Sequence, residues 1–97
     1  GIDHALSEAA EAVEDLDDDA DYLASFGKGA ENMSGFSVTN CDSLLNLPFS
    51  IHFESAPSDW SRSQKDGWKD GQKLVFYVLL AERLRSCLVP VPAPPSP

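Results

Sequence analysis

Ninety-seven residues with 16 acidic and seven basic side chains carry a formal net charge of −9 at pH 7. Apolar residues are 42% and charged residues 24% of the chain, ordinary globular usage, so it holds one small domain at most and a small core. The acidic balance argues against direct binding to nucleic acid or to an anionic membrane, which would both repel it, and no apolar run approaches the ~18 residues of a membrane span.

The whole excess of charge lies at the front. Residues 1–27 hold nine acids and no Lys or Arg, while the remaining 70 residues carry seven of each sign. The chain opens on Gly rather than Met and shows no leader with a charged start, an apolar middle and a small-residue cleavage site. The expectation is a processed product or an excised segment, with the compartment left open and leaning to the cytoplasm.

Apolar residues in the first segment fall at Ile2, Leu6, Ala9, Val13, Leu16, Ala20 and Leu23. Their spacing alternates four and three, a heptad seam that no strand generates. Ala5, Ala9, Ala10 and Ala12 add helix propensity, Asp3 suits the N-cap, and Gly27 and Gly29 suit the stop. One helix is expected from about residue 3 to residue 26. Its outer face is costly: Glu11–Asp15, Glu14–Asp18, Asp15–Asp19 and Asp17–Asp21 are like charges one turn apart, each unfavourable by ~0.2–0.5 kcal/mol. Asp is also a poor helix former, and carboxylates in the second half of a helix oppose its dipole.

Residues 27–35 read as loop. Phe36 to Thr39 alternates, Asn40 to Ser43 reads as a turn, and Phe49, Ile51 and Phe53 alternate with Ser50, His52 and Glu54. Pro48 suits an edge strand. These two segments are expected to pair as an antiparallel ribbon with a helix across its apolar face. Residues 55–72 are polar and broken, with Lys65-Asp66-Gly67-Trp68 echoed by Lys69-Asp70-Gly71-Gln72. Asp66 or Asp70 then caps a second helix, over about 70–88, that forms the apolar centre; the β-branched and aromatic residues of 73–80 suit a buried strand as the alternative. A start at Ser58 would instead put Gly67 and Gly71 on one face, where they allow a close backbone approach. The tail, residues 89–97, holds five of the seven prolines and is expected to be extended polyproline II, a linker or terminus.

The expected fold is therefore α+β: residues 1–88 form a single domain of long acidic helix, two-stranded ribbon and apolar helix, with a proline-rich tail at 89–97. Cys41 and Cys87 allow two readings. A bridge would close a loop of some 45 residues and add about 4 kcal/mol by the chain-entropy model; otherwise both act as small apolar residues. Asn32-Met33-Ser34 has the N-glycosylation pattern, which matters only in a secreted protein.

Chemistry-bearing patterns are sparse. Neither His4 nor His52 has a Cys or His at metal-ligand spacing, and no local sequence sets up Cys41 or a serine as a nucleophile. No cofactor, metal or catalytic residue is expected, and the chain is read as not an enzyme. The run Asp15–Asp21 resembles a calcium loop in composition but lacks its turn Gly and its twelfth-position Glu. The acids Glu11, Glu14, Asp15, Asp17, Asp18, Asp19 and Asp21 are either a solvated face or a docking surface for a basic partner. The lack of interleaved Lys and Arg favours docking. Arg62, Lys65, Lys69, Lys73, Arg83 and Arg85 supply a complement to them within the fold or between copies. Trp60 and Trp68 are candidate partner anchors, or wrap the small core.

The functional expectation is a non-enzymatic interaction or regulatory module that docks a basic protein surface through its first helix. One alternative is a nucleic-acid mimic that inhibits a DNA- or RNA-binding protein. Another is a structural or secreted subunit that oligomerises through Leu6, Val13, Leu16 and Leu23.

Overall fold

The computed structural model describes residues 2–14, 16–35, 41 and 53–88. Three helices organise them: α1 (Ile2–Glu14), α2 (Ala20–Met33) and α3 (Arg62–Leu88). At 27 residues α3 is about 40 Å long, and both other helices pack on it. Glu8 meets Lys73 and His4 meets Tyr77, so α1 runs antiparallel to α3. Gly67 faces the Tyr22 carbonyl and Gly71 that of Phe26, so α2 runs parallel to it.

No strand occurs among the described residues, and the α+β expectation is corrected to an all-helical arrangement. The first expected strand, 36–39, and residues 49–52 of the second lie outside the described residues. Phe53 and Glu54, the described end of the second, are irregular backbone. The Phe53 ring packs edge-on to Phe76, with centroids 5.6 Å apart, so a helix supplies the apolar contact that alternation alone attributes to a sheet.

The single helix expected over 3–26 is two. Residues 16–19 are not helical; Asp17 Oδ1 accepts a hydrogen bond from the Asp19 backbone N–H over 3.2 Å, a local bond that competes with helix. The acids therefore break the helix whose face they were expected to line. Gly27 and Gly29 do not stop α2, which continues to Met33; there the Ser34 N–H and hydroxyl both donate to the Glu31 carbonyl, at 3.1 and 2.7 Å.

The third helix starts eight residues before the expected 70. Ser61 and Gln64 form a reciprocal capping box. The Gln64 N–H donates to Ser61 Oγ over 3.2 Å, and the Ser61 N–H donates to Gln64 Oε1 over 2.8 Å, satisfying two otherwise orphaned donors. This earlier start places Gly67 and Gly71 against α2. A Cβ on Gly71 would overlap the Phe26 carbonyl oxygen and reach 2.9 Å from the Ala30 nitrogen; one on Gly67 would overlap the Tyr22 oxygen; one on Gly29 would overlap that of Trp68. The two backbones touch, and only glycine permits it.

The core is centred on Phe76, Leu80, Ala81 and Leu84 of α3 with Ala5 of α1, and Ile2, Met33, Phe53, Tyr77 and Cys87 pack around it. The inward stripe of α1 is Ala5, Ala9 and Ala12; it shares Ala9 with the expected seam, whose Leu6 and Val13 are exposed. A disulfide joins Cys41 to Cys87, with Cα atoms 5.6 Å apart. The tail at 89–97 lies outside the described residues. No described helix is long and apolar enough to cross a membrane.

Candidate functional site

The acidic residues gather around the α1–α2 connection. Glu11 and Glu14 are exposed in the last turns of α1, Asp17, Asp18 and Asp19 are exposed in the connection, and Asp21 is exposed in the first turn of α2. Asp15 lies outside the described residues. The break changes their electrostatics. Asp19 and Asp21 sit at a helix N-terminus, where the dipole favours them, while Glu11 and Glu14 still oppose it. None of the described acids between Glu11 and Asp21 has an ion-pair partner among the described residues. Of the complement offered by α3, Lys73 lies 3.7 Å from Glu8 of α1.

Beside these carboxylates stand the seam residues. Leu6, Val13, Leu16 and Leu23 are 45–47% exposed, so the larger seam residues face away from the core, whereas Ile2 and Ala9 of the same seam face it. On α1 the inward stripe 5–9–12 and the outward stripe 6–10–13 are one residue apart in phase, about 100° round the helix. Ala5 packs with Phe76, Leu80 and Leu84, and the larger Leu6 and Val13 are left outside.

Sequence reasoning did not find the buried polar pair between α2 and α3. The Tyr22 hydroxyl donates to Asp70 Oδ2 over 2.7 Å, with the residues only 3% and 5% exposed. Beside it is an open cleft of about 370 Å³ lined by Asp17, Tyr22, Ser63, Asp66, Lys69 and Asp70. At its rim Arg62 pairs with Asp66 at 3.4 Å, an exposed contact worth about 0–1 kcal/mol. Among the described residues no His, Cys, Asp and Glu side chains group as a metal site.

Trp60 and Trp68 are brought together edge-to-face, with centroids 5.9 Å apart, and Lys28 Nζ lies 5.5 Å from the Trp60 ring centre. Trp68 Nε1 donates to the Glu54 carbonyl over 2.7 Å. Asn32 Nδ2 donates to Glu54 Oε2 over 2.8 Å, and Gln72 Nε2 donates to Asn32 Oδ1 over 3.0 Å. This clip holds the segment from Phe53 to Trp60 onto α2 and α3, and both indoles remain partly exposed.

The Cys41 thiol is taken up in the disulfide, which removes it as a nucleophile. His4 is exposed, its ring edge-on to Tyr77 at 6.2 Å; His52 lies outside the described residues. Burial and the Glu8 carboxylate together hold the Tyr77 phenol above its ordinary 10.0, with the Lys73 ammonium opposing them.

No protein-family model matches the chain, and neither a curated protein nor a solved structure matches it.

Proposed function

We propose that this chain is a non-enzymatic interaction module that docks a basic protein surface through its first two helices. One observation carries the reading: exposed Leu6 and Val13 on one face of α1 stand beside exposed Glu11 and Glu14, with no Lys or Arg before Lys28. An ordinary solvated face mixes both signs and shows few large apolar side chains. Carboxylates steer a basic partner inward, and burial of the leucine and valine side chains then holds it.

The test is retention of partners on the immobilised chain, compared with a Leu6→Ser/Val13→Ser variant and a Glu11→Gln/Glu14→Gln/Asp18→Asn variant. Raising salt from about 0.1 M to about 1 M, which shortens the screening length from about 10 to about 3 Å, should release bound basic proteins. Each variant should bind them more weakly. Retention indifferent to salt and to both variants sinks the proposal. Displacement of a nucleic acid from a captured partner would mark the mimic form of the same reading.

A second reading is favoured by the Cys41–Cys87 bridge. Disulfides persist in oxidising compartments, which supports a secreted or structural subunit associating through the exposed seam. Stacking two copies of that face would oppose like charges. Light scattering at neutral and mildly acidic pH tests it: association strengthened by acid supports it, and a monomer at both pH values ends it.

A further inference from the structure

We propose that the cleft between residues 53–58 and α3 binds a small anionic amphiphile with an aromatic-sized apolar body, one anionic group and one N–H or O–H donor. The cleft encloses about 400 Å³, within the range of small-molecule sites, and it is separate from the acidic face of α1. Phe53, Ala56 and Trp68 form its apolar wall. Because Trp68 Nε1 already donates to the Glu54 carbonyl, the indole offers a ligand carbon surface only.

Two polar features select the rest of the ligand. Lys65 and Lys69, one turn apart on α3, line the cleft and have no ion-pair partner among the described residues. The lining sets one carboxylate, Glu54, hydrogen-bonded by Asn32, against the two lysines, so its charge is positive on a strongly acidic chain. One turn further, Gln72 is fully buried and also lines the cleft. Its Nε2 donates to Asn32, while its Oε1 is buried with no hydrogen-bond partner among the described residues. A buried acceptor without a donor carries an uncompensated desolvation cost, which an N–H or O–H on the ligand removes. Lys65, Lys69 and Gln72 follow i, i+4, i+7 spacing and so share one face of α3. The surrounding acids repel polyanions, which leaves a small monoanion as the ligand class.

The test uses anilinonaphthalene sulfonate, which joins an aromatic body, one sulfonate and one N–H. It is titrated into the full chain with the disulfide intact. Saturable binding of one probe per chain is expected, with shifts in the Trp68 indole and Gln72 side-chain amide signals by NMR. A Lys65→Gln/Lys69→Gln variant should lose about tenfold in affinity, as two exposed charge contacts allow, while Arg85→Gln should not. The uncharged N-phenylnaphthylamine should bind more weakly than the sulfonate and should not respond to the lysine changes. Both lysines are exposed, so equal thermal midpoints will show that the variant is folded. Absence of saturable binding overturns the proposal. So does an affinity that survives loss of both lysines, or signal shifts confined to the Leu6–Val13 face.

Discussion

The Tyr22 hydroxyl donates to the Asp70 carboxylate over 2.7 Å where α2 crosses α3, and both residues are buried. A polar bond at a backbone-to-backbone contact fixes the register of the two helices, because sliding either one would leave a carboxylate buried without that donor. Tyr22→Phe should lower stability by about 1.5–3 kcal/mol, the range for hydrogen bonds to charged groups. In a double-mutant cycle with Asp70→Ala, denaturant unfolding should give a coupling of about 0.5–3 kcal/mol. Additive effects would show that the bond does not hold the crossing.

The glycines of α2 and α3 should respond in opposite directions to the same added methyl. At Gly71, alanine would press on the Phe26 carbonyl, a backbone group that cannot rotate away; Gly71→Ala should cost about 3 kcal/mol or more. At Gly27, a Cβ would meet nothing within 4 Å in the middle of a helix. Gly27→Ala should therefore stabilise by about 0.5–1 kcal/mol. Thermal unfolding of the two variants decides both signs.

Reduction of the Cys41–Cys87 bridge, with its sequence separation of 46, should lower stability by about 4 kcal/mol on the chain-entropy model. The comparison is the denaturation midpoint with and without reductant, with alkylation followed by mass measurement counting thiols. Two thiols that react before reduction would contradict the bridge.

The Tyr77 phenol titrates above its ordinary 10.0 because burial and then Glu8 disfavour the phenolate. Its neutral form is thus favoured more in the folded chain than in the unfolded one. The resulting stability is complete below about pH 10, the unfolded pKa, and is lost as pH rises through the higher folded value. Glu8→Gln should lower the Tyr77 pKa, and Lys73→Gln should raise it. Ring carbon shifts followed by NMR across the alkaline range measure both, and a midpoint unmoved by Glu8→Gln rules out the Glu8 contribution.

Helical character on either side of residues 16–19, the apolar centre around Phe76–Leu84 and the packing of charge at the front were legible from composition and periodicity. So was the option of a glycine face at Gly67 and Gly71, and Ser61-x-x-Gln64 carried an unused signal for the true start of α3. Periodicity reports angles and cannot rank two stripes on one helix. On α1, Ala5, Ala9 and Ala12 are buried, Ala5 against Phe76, Leu80 and Leu84, while Leu6 and Val13 are left exposed.

The amino-acid sequence by itself determined a small, acidic chain with a helical segment near each end and its negative charge massed at the front; that no strand joins the helices among the described residues was decided only in the tertiary structure. Tertiary structure decided how the same residues are used. Gly29 is a stop signal read locally and a contact point once Trp68 lies against it. Asp70 is a capping candidate read locally and a buried acceptor once Tyr22 reaches it. Local rules count what a residue does to its own turn of chain, whereas burial, close approach and unmatched polar atoms depend on what arrives from forty residues away.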